Sequence, residues 1–260
     1  MRITTNALAL LVPILCTTAA HAETSVIHSR YAISALGLPV GVSKFETRIS
    51  PGSYSMTGTL KASGLVALFK PTTGSMSVSG RFGRNGVQAE RFALDYVSGG
   101  DRQTTDIGFS GGNVTSAVNK PKVKKRKGWI EVDAAHLRNT VDPISAMLVK
   151  ADTPGAVCDR TVRVFDGAMR SDIKLNFLRT ERFSADGYSG DVVTCRAKFL
   201  PVSGYPGGKK EIAWLRDKGR IVVAFAPIEG TDLYAPVKAT VSTQLGPVRI
   251  YATRLERRME

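Results

Sequence analysis

Ser171-Asp172-Ile173-Lys174 matches S-x-x-K, the nucleophile motif of penicillin-binding enzymes. That chemistry needs serine and lysine one helical turn apart, so that the amine can reach the hydroxyl. The surrounding residues alternate as a strand does, which sends Ser171 and Lys174 to opposite faces. His136 could act as a general base if Asp133 or Asp142 oriented it. It has no nucleophile nearby, and a solvated histidine beside a helix is the commoner outcome. G-x-S-x-G, H-E-x-x-H and G-x-x-x-x-G-K are absent. A zinc site needs three or four clustered ligands, and beyond the leader only His28 and His136 remain. The residues therefore predict a protein that is not an enzyme, with no catalytic residues, no metal and no cofactor; the alternative is an envelope hydrolase, with only Ser171 and the His136 neighbourhood behind it.

Charge is the clearest surface signal. Lys and Arg number 36 against 22 Asp and Glu, a formal net charge of +14. Lys120, Lys122, Lys124, Lys125, Arg126 and Lys127 crowd together, and Pro121 favours an extended backbone among them. Aromatic residues that would stack bases do not interleave with them. Export, which the N-terminal residues predict, also removes nucleic acid as a partner. The segment reads either as a contact for an anionic envelope surface or acidic envelope protein, or as a solvated loop.

Arg2, the apolar run from Ala7 to Leu15 and the A-x-A site Ala20-His21-Ala22 predict a secretory signal peptide over 1–22, cleaved after Ala22. A single periplasmic domain over 23–260 would follow. Cys16 departs with the leader and leaves Cys158 and Cys195. An even pair in an exported chain predicts one disulfide.

The elements that must position these residues read as antiparallel β-structure. Tyr54, Met56, Gly58 and Leu60 alternate with Ser55, Thr57 and Thr59, and Phe92, Leu94 and Tyr96 repeat the pattern. Ser110-Gly111-Gly112-Asn113 suits a hairpin turn. Later strands are predicted at 161–165, 171–177, 192–199, 211–215, 220–226, 237–242 and 248–255. Two places break the period. Leu65-Val66-Ala67-Leu68-Phe69 predicts a short helix. Asp142-Pro143, an N-cap followed by proline at the first helical position, predicts another over 143–150, with Ile144, Met147 and Leu148 on one face. No repeat or linker divides the chain.

Tyr31, Gly37-Leu38-Pro39-Val40-Gly41, Val141-Asp142-Pro143-Ile144-Ser145-Ala146, Val164-Phe165-Asp166-Gly167, Arg170, Cys195, Pro201-Val202-Ser203-Gly204-Tyr205 and Gly246 follow one another in a familiar order. As a set they resemble an uncharacterised domain-of-unknown-function family of Gram-negative periplasmic β-proteins. The resemblance implies an all-β fold with one or two short helices. Its large curved or spiral antiparallel sheet would partly wrap a central helix near 143–150. That architecture is similar to the periplasmic lipoprotein carriers, which hold acyl chains in a concave face. The family has no established catalytic residues to carry over.

On such a sheet Tyr31, Tyr54, Met56, Leu60, Phe92, Phe109 and Leu148 are the candidates to line a hydrophobic cavity, the alternative being that they simply fill the core. The expected function is a non-catalytic envelope protein that binds a lipid, lipoprotein or other hydrophobic ligand. The alternative is an interaction or scaffolding factor for cell-wall or outer-membrane assembly, using exposed strand edges.

Overall fold

The computed structural model describes residues 24–83 and 86–260. The predicted leader and Cys16 lie outside the described residues. In chain order come β1 (Ser25–Ala35), β2 (Leu38–Ser50), β3 (Ser53–Ala62), α1 (Gly64–Phe69) and β4 (Thr72–Gly83). These are followed by β5 (Gly86–Ser98), β6 (Asp101–Ser110), β7 (Asn113–Lys120), β8 (Trp129–Ile130) and β9 (Val149–Lys150). Then come β10 (Arg160–Phe165), β11 (Arg170–Ala185), β12 (Tyr188–Ser203), β13 (Tyr205–Pro206) and α2 (Lys210–Asp217). β14 (Ile221–Pro227), β15 (Leu233–Thr243) and β16 (Gly246–Met259) complete the fold.

All but β8 and β13, which pair with each other, belong to one 14-stranded antiparallel sheet. Its order is β10-β11-β12-β14-β15-β16-β1-β2-β3-β4-β5-β6-β7, with β9 added on β15. The all-β fold with a large curved antiparallel sheet and short helices is therefore correct. The curl rests on local chemistry. Phe45 lies over Gly58, its partner across β2–β3, where any Cβ would stand 2.6 Å from the ring. Tyr54 likewise covers Gly80 across β3–β4, leaving no room for a side chain there. Missing side chains on the inner face let large rings from neighbouring strands fold inward.

β7 and β10 form the two ends of the sheet and do not pair with each other. The segment Leu137–Val141 spans the gap between them. Val114 N–H donates to Leu137 O and Thr140 N–H to Gly112 O on the β6–β7 side. Val141 N–H donates to Arg163 O, and Phe165 N–H donates to Val141 O, on the β10 side.

Beyond this bridge the chain enters the interior and crosses to β15, where Leu233 and Tyr234 pair with Lys150 and Val149. The helix predicted over 143–150 is a single 3-10 turn, Ser145–Met147. Asp142 starts it, its Oδ1 accepting the N–H of Ile144 and of Ser145 at 2.9 and 2.8 Å. Leu148 is already extended, because Val149 and Lys150 must give their backbone groups to β15. The strand predicted over 211–215 is instead within α2, where Ile212 and Leu215 lie one turn apart and half-buried. The short helix predicted at Leu65–Phe69 is α1.

The crossing segment divides the interior. On one side a filled core gathers Ile49, Tyr54, Val78, Phe92, Ile107 and Phe109. A second cluster of Val149, Val157, Leu175, Val193, Ala197, Phe225 and Tyr234 surrounds the Cys158–Cys195 disulfide.

Candidate functional site

Beside the filled core, and lined in part by its members Ile27, Tyr31, Met56 and Leu148, the curled sheet partly encloses a cavity of about 580 Å³. Its wall is built by inward-facing residues from nearly every strand of the curl. β1 contributes Ile33, β3 Met56 and Leu60, and β4 Met76. β10 and β11 supply Val162, Val164, Ile173 and Leu175, while β14 and β16 supply Ile221, Val223, Phe225 and Ile250. The crossing segment forms one side with Pro143, Ile144, Met147 and Leu148.

Few polar groups interrupt this wall. Ser29, Ser43 and Thr47 are the hydroxyls besides Tyr31, and Lys238 is the single charged residue in it. The Lys238 ammonium is held 3.5 Å from Glu181 Oε1. Glu181 also pairs with Arg179 at 2.7 Å. Tyr31 spends its hydroxyl on Pro236 O at 2.7 Å, and burial pushes its pKa up to about 12. A space of this size with an apolar wall suits a chain-like or compact hydrophobic ligand.

Of the predicted cavity residues, Tyr31, Met56, Leu60 and Leu148 line this space. Tyr54, Phe92 and Phe109 do not; they fill the core across the crossing segment. The sequence reading missed the wall supplied by β10, β11, β14 and β16. The alternation of Val162 with Val164 and of Ile173 with Leu175 was visible, but which strands the curl sets opposite one another was not.

Cys158 and Cys195 are bonded, tying the turn that follows β9 to the middle of β12. The bond fixes the far end of the crossing segment, and it is of the kind an oxidising compartment favours. Lys120, Lys122, Lys124, Lys125, Arg126 and Lys127 are all exposed, at the end of β7 and in the loop after it. Lys125 pairs with Glu131 at 2.6 Å. Among the described residues, no ion pair is formed by Lys122, Lys124, Arg126 or Lys127.

The residues with chemical motifs fall elsewhere. Ser171 is buried on β11 while Lys174, on the same strand, is exposed. His136 uses its ring Nδ1 to accept the Asp133 N–H at 3.3 Å, and its own N–H donates to Asp133 Oδ1 at 2.9 Å. That backbone hydrogen bond holds the Asp133 carboxyl below the usual carboxylate range. Asp142 faces Ser145 rather than His136, and burial pushes its carboxyl up. The buried Arg170, unremarked in sequence beyond the resemblance, donates from Nε to His136 O at 3.0 Å and from a terminal nitrogen to Asp172 Oδ1 at 2.6 Å. It thereby pins the 131–141 stretch to β11.

Among the described residues no group of three or more His, Cys, Asp or Glu is placed to hold a metal ion. No helix among them is long and apolar enough to cross a membrane. A wider, shallower depression of about 850 Å³ lies on the outward side of β2–β6, floored by Thr57, Thr59, Ser75 and Ser77. Its floor belongs to the polar set of the alternation, and it encloses nothing.

The family model described as a protein of unknown function, DUF3108, matches residues 30–253. No curated protein matches the chain. Among solved structures, it is similar to a β-barrel-like protein of the domain of unknown function DUF1849 from Brucella abortus. The identity is 9%, the TM-score 0.48, and the likeness covers 90% of this chain and 97% of that one. A Parabacteroides distasonis protein assigned provisionally as a lipoprotein is 10% identical, with a TM-score of 0.29, over 90% of this chain and 95% of that one.

Proposed function

We propose that this chain, which belongs to the DUF3108 family of proteins of unknown function, is a non-catalytic periplasmic protein that holds a lipid-like ligand inside its curled sheet. The observation that carries this reading is the apolar cavity of about 580 Å³ beside a packed core in the same interior. A sheet that needed only stability would fill both sides, because unfilled apolar volume costs contacts. The wall's scarcity of polar groups favours acyl chains over sugars or peptides, which would need many hydrogen bonds met. The reading supports a role in envelope integrity through storage or transfer of such a ligand.

Native mass spectrometry of protein recovered after export tests it. The expected result is an added mass that organic solvent extracts, and displacement of that mass by an environment-sensitive apolar dye. Protein that carries nothing and takes up no dye would end the reading.

A second reading, a scaffolding factor, is supported by the outer edge of β7 beyond Val114, the residue through which the 137–141 segment pairs with it; most residues of this end strand are exposed. Such an edge can accept a strand from a partner. Crosslinking in cells, with Val118 replaced by a photoreactive residue, would capture that partner.

A further inference from the structure

Antiparallel connectivity sends a defined set of connections to one end of the curl. These are the β1–β2 turn, α1 between β3 and β4, the β5–β6 turn, the exit from β7, the β15–β16 turn, and α2 on its way into β14. The cavity lies toward this same end, since its wall continues outward from the crossing segment to Ile33, Leu60, Ile221 and Ile250.

The large side chains here do not point inward. Leu36, Leu38, Leu65, Leu68, Phe69 and Leu245 are exposed, Leu68 at 77%, Phe69 at 87% and Leu245 at 84%. α1 buries none of its residues. The connections that carry them adjoin one another. Leu36 packs over Gly246 beside Leu245 and donates its N–H to Pro247 O at 3.2 Å, while Ser63, before α1, donates its N–H to Val40 O at 3.0 Å. Isolated exposed leucines need no explanation, but six large apolar residues exposed on neighbouring connections at one end of the sheet do.

Cations surround the rim. Lys61 and Lys70 bracket α1 without an acidic residue between them. The loop after β7, with Lys122, Lys124, Arg126 and Lys127, leaves from the same end. Lys209 and Lys210 open α2.

We infer that this end is a membrane-docking face, in which the apolar tips enter the interfacial layer of an anionic bilayer while the basic loop and Lys61 and Lys70 meet its phosphates. Protruding aliphatic and aromatic residues backed by lysine and arginine are the pattern that binds such interfaces. Docking would turn this end of the cavity toward the lipid, so the inference deepens the proposed ligand-holding role and rests on it for that orientation.

The test uses protein recovered after export and vesicles of phosphatidylglycerol with phosphatidylethanolamine, against vesicles of phosphatidylcholine alone. The wild type is expected to float with the anionic vesicles. Leu68→Ser/Phe69→Ser/Leu245→Ser should lower the bound fraction by about tenfold or more at both low and high salt. Lys124→Ser/Lys125→Ser/Arg126→Ser/Lys127→Ser should lower it by about tenfold at low salt and little at high salt, where exposed charges are screened. Phe69→Trp supplies a direct readout, taken as the difference from the wild-type emission. Vesicles should shift that added emission to shorter wavelength, and brominated lipid should quench it.

Dye uptake in solution separates the two ideas, because rim variants should keep it. Loss of dye uptake in the wild type with vesicle binding intact would end the ligand reading and leave the docking face standing. Vesicle binding unchanged in the triple variant, or added emission from Phe69→Trp that is indifferent to lipid, would overturn the docking face. So would a wild-type dimer that the triple variant makes monomeric without any vesicle binding, since the rim would then meet a second copy.

Discussion

Tyr54 on β3 donates its hydroxyl to Ser145 Oγ at 2.8 Å, a hydrogen bond buried inside the curled sheet. It ties the sheet to the segment that crosses its interior, at the boundary between filled core and cavity. The ring that makes it fits only because Gly80 on the neighbouring strand has no side chain. Burial pushes the Tyr54 pKa well up, so the hydroxyl remains a donor across the physiological range.

Tyr54→Phe should therefore cost about 1 kcal/mol of stability. Ser145→Ala should cost a similar amount, and the double variant less than the two together. Urea titrations of the four proteins give the coupling. Strict additivity would mean that the hydroxyls do not depend on each other.

Asp142 is fully buried, and its Oδ2 has no hydrogen-bond partner among the described residues. Burial raises its pKa in the folded state, so the folded chain holds this proton more tightly than the unfolded one. Stability from this group is then fully present below the unfolded carboxyl value of about 3.9 and is lost as pH rises through the folded value. The stability difference between wild type and Asp142→Asn should shift in favour of the variant as pH rises from about 4 to 8. Parallel stability–pH curves would show that Asp142 does not titrate abnormally.

Arg170 is 3% exposed and holds the His136 carbonyl, so it secures the stretch that leads into the seam between β7 and β10. Arg170→Met should destabilise by roughly 3 kcal/mol, because Asp172 and the carbonyls lose a buried cation. Hydrogen exchange should accelerate first at the amides of Thr140 and Val141, which carry the bridge. Uniform loosening of the whole sheet would argue against a local role.

The Cys158–Cys195 bond joins cysteines 37 positions apart and anchors the end of the crossing segment. Protein recovered after export should show no free thiol when denatured without reductant. Replacing both cysteines with alanine should cost roughly 3–4 kcal/mol in the chain-entropy model. Two labelled thiols per chain would refute the bond.

Ala197 lies in the cavity wall with Ile173 and Val223 nearby in the same lining. Ala197→Phe should fill part of the space and reduce apolar-dye uptake several-fold, at a stability cost of about 1–3 kcal/mol because Ala197 also packs in the cluster around the disulfide. Undiminished uptake would place the dye elsewhere.

The sequence by itself determined the β-architecture, the two short breaks in its period and the pairing of Cys158 with Cys195. Two-residue alternation dictates which side chains share a face, and an even cysteine count in an exported chain leaves one bond to form. Alternation is local, however, and says nothing of which strand the curl will set opposite another. Tyr54 and Leu60 have the same period and the same face, yet one packs in the core and the other lines the cavity. What separates them is the crossing segment, held by Asp142, Tyr54 and the pairing of Val149 with Tyr234. Tyr54 and Ser145 stand 91 positions apart, and only the closed path of the chain brings them together. The same holds for the rim, where Leu36, Phe69 and Leu245 are scattered in sequence and meet only because antiparallel turns return to one end of the sheet.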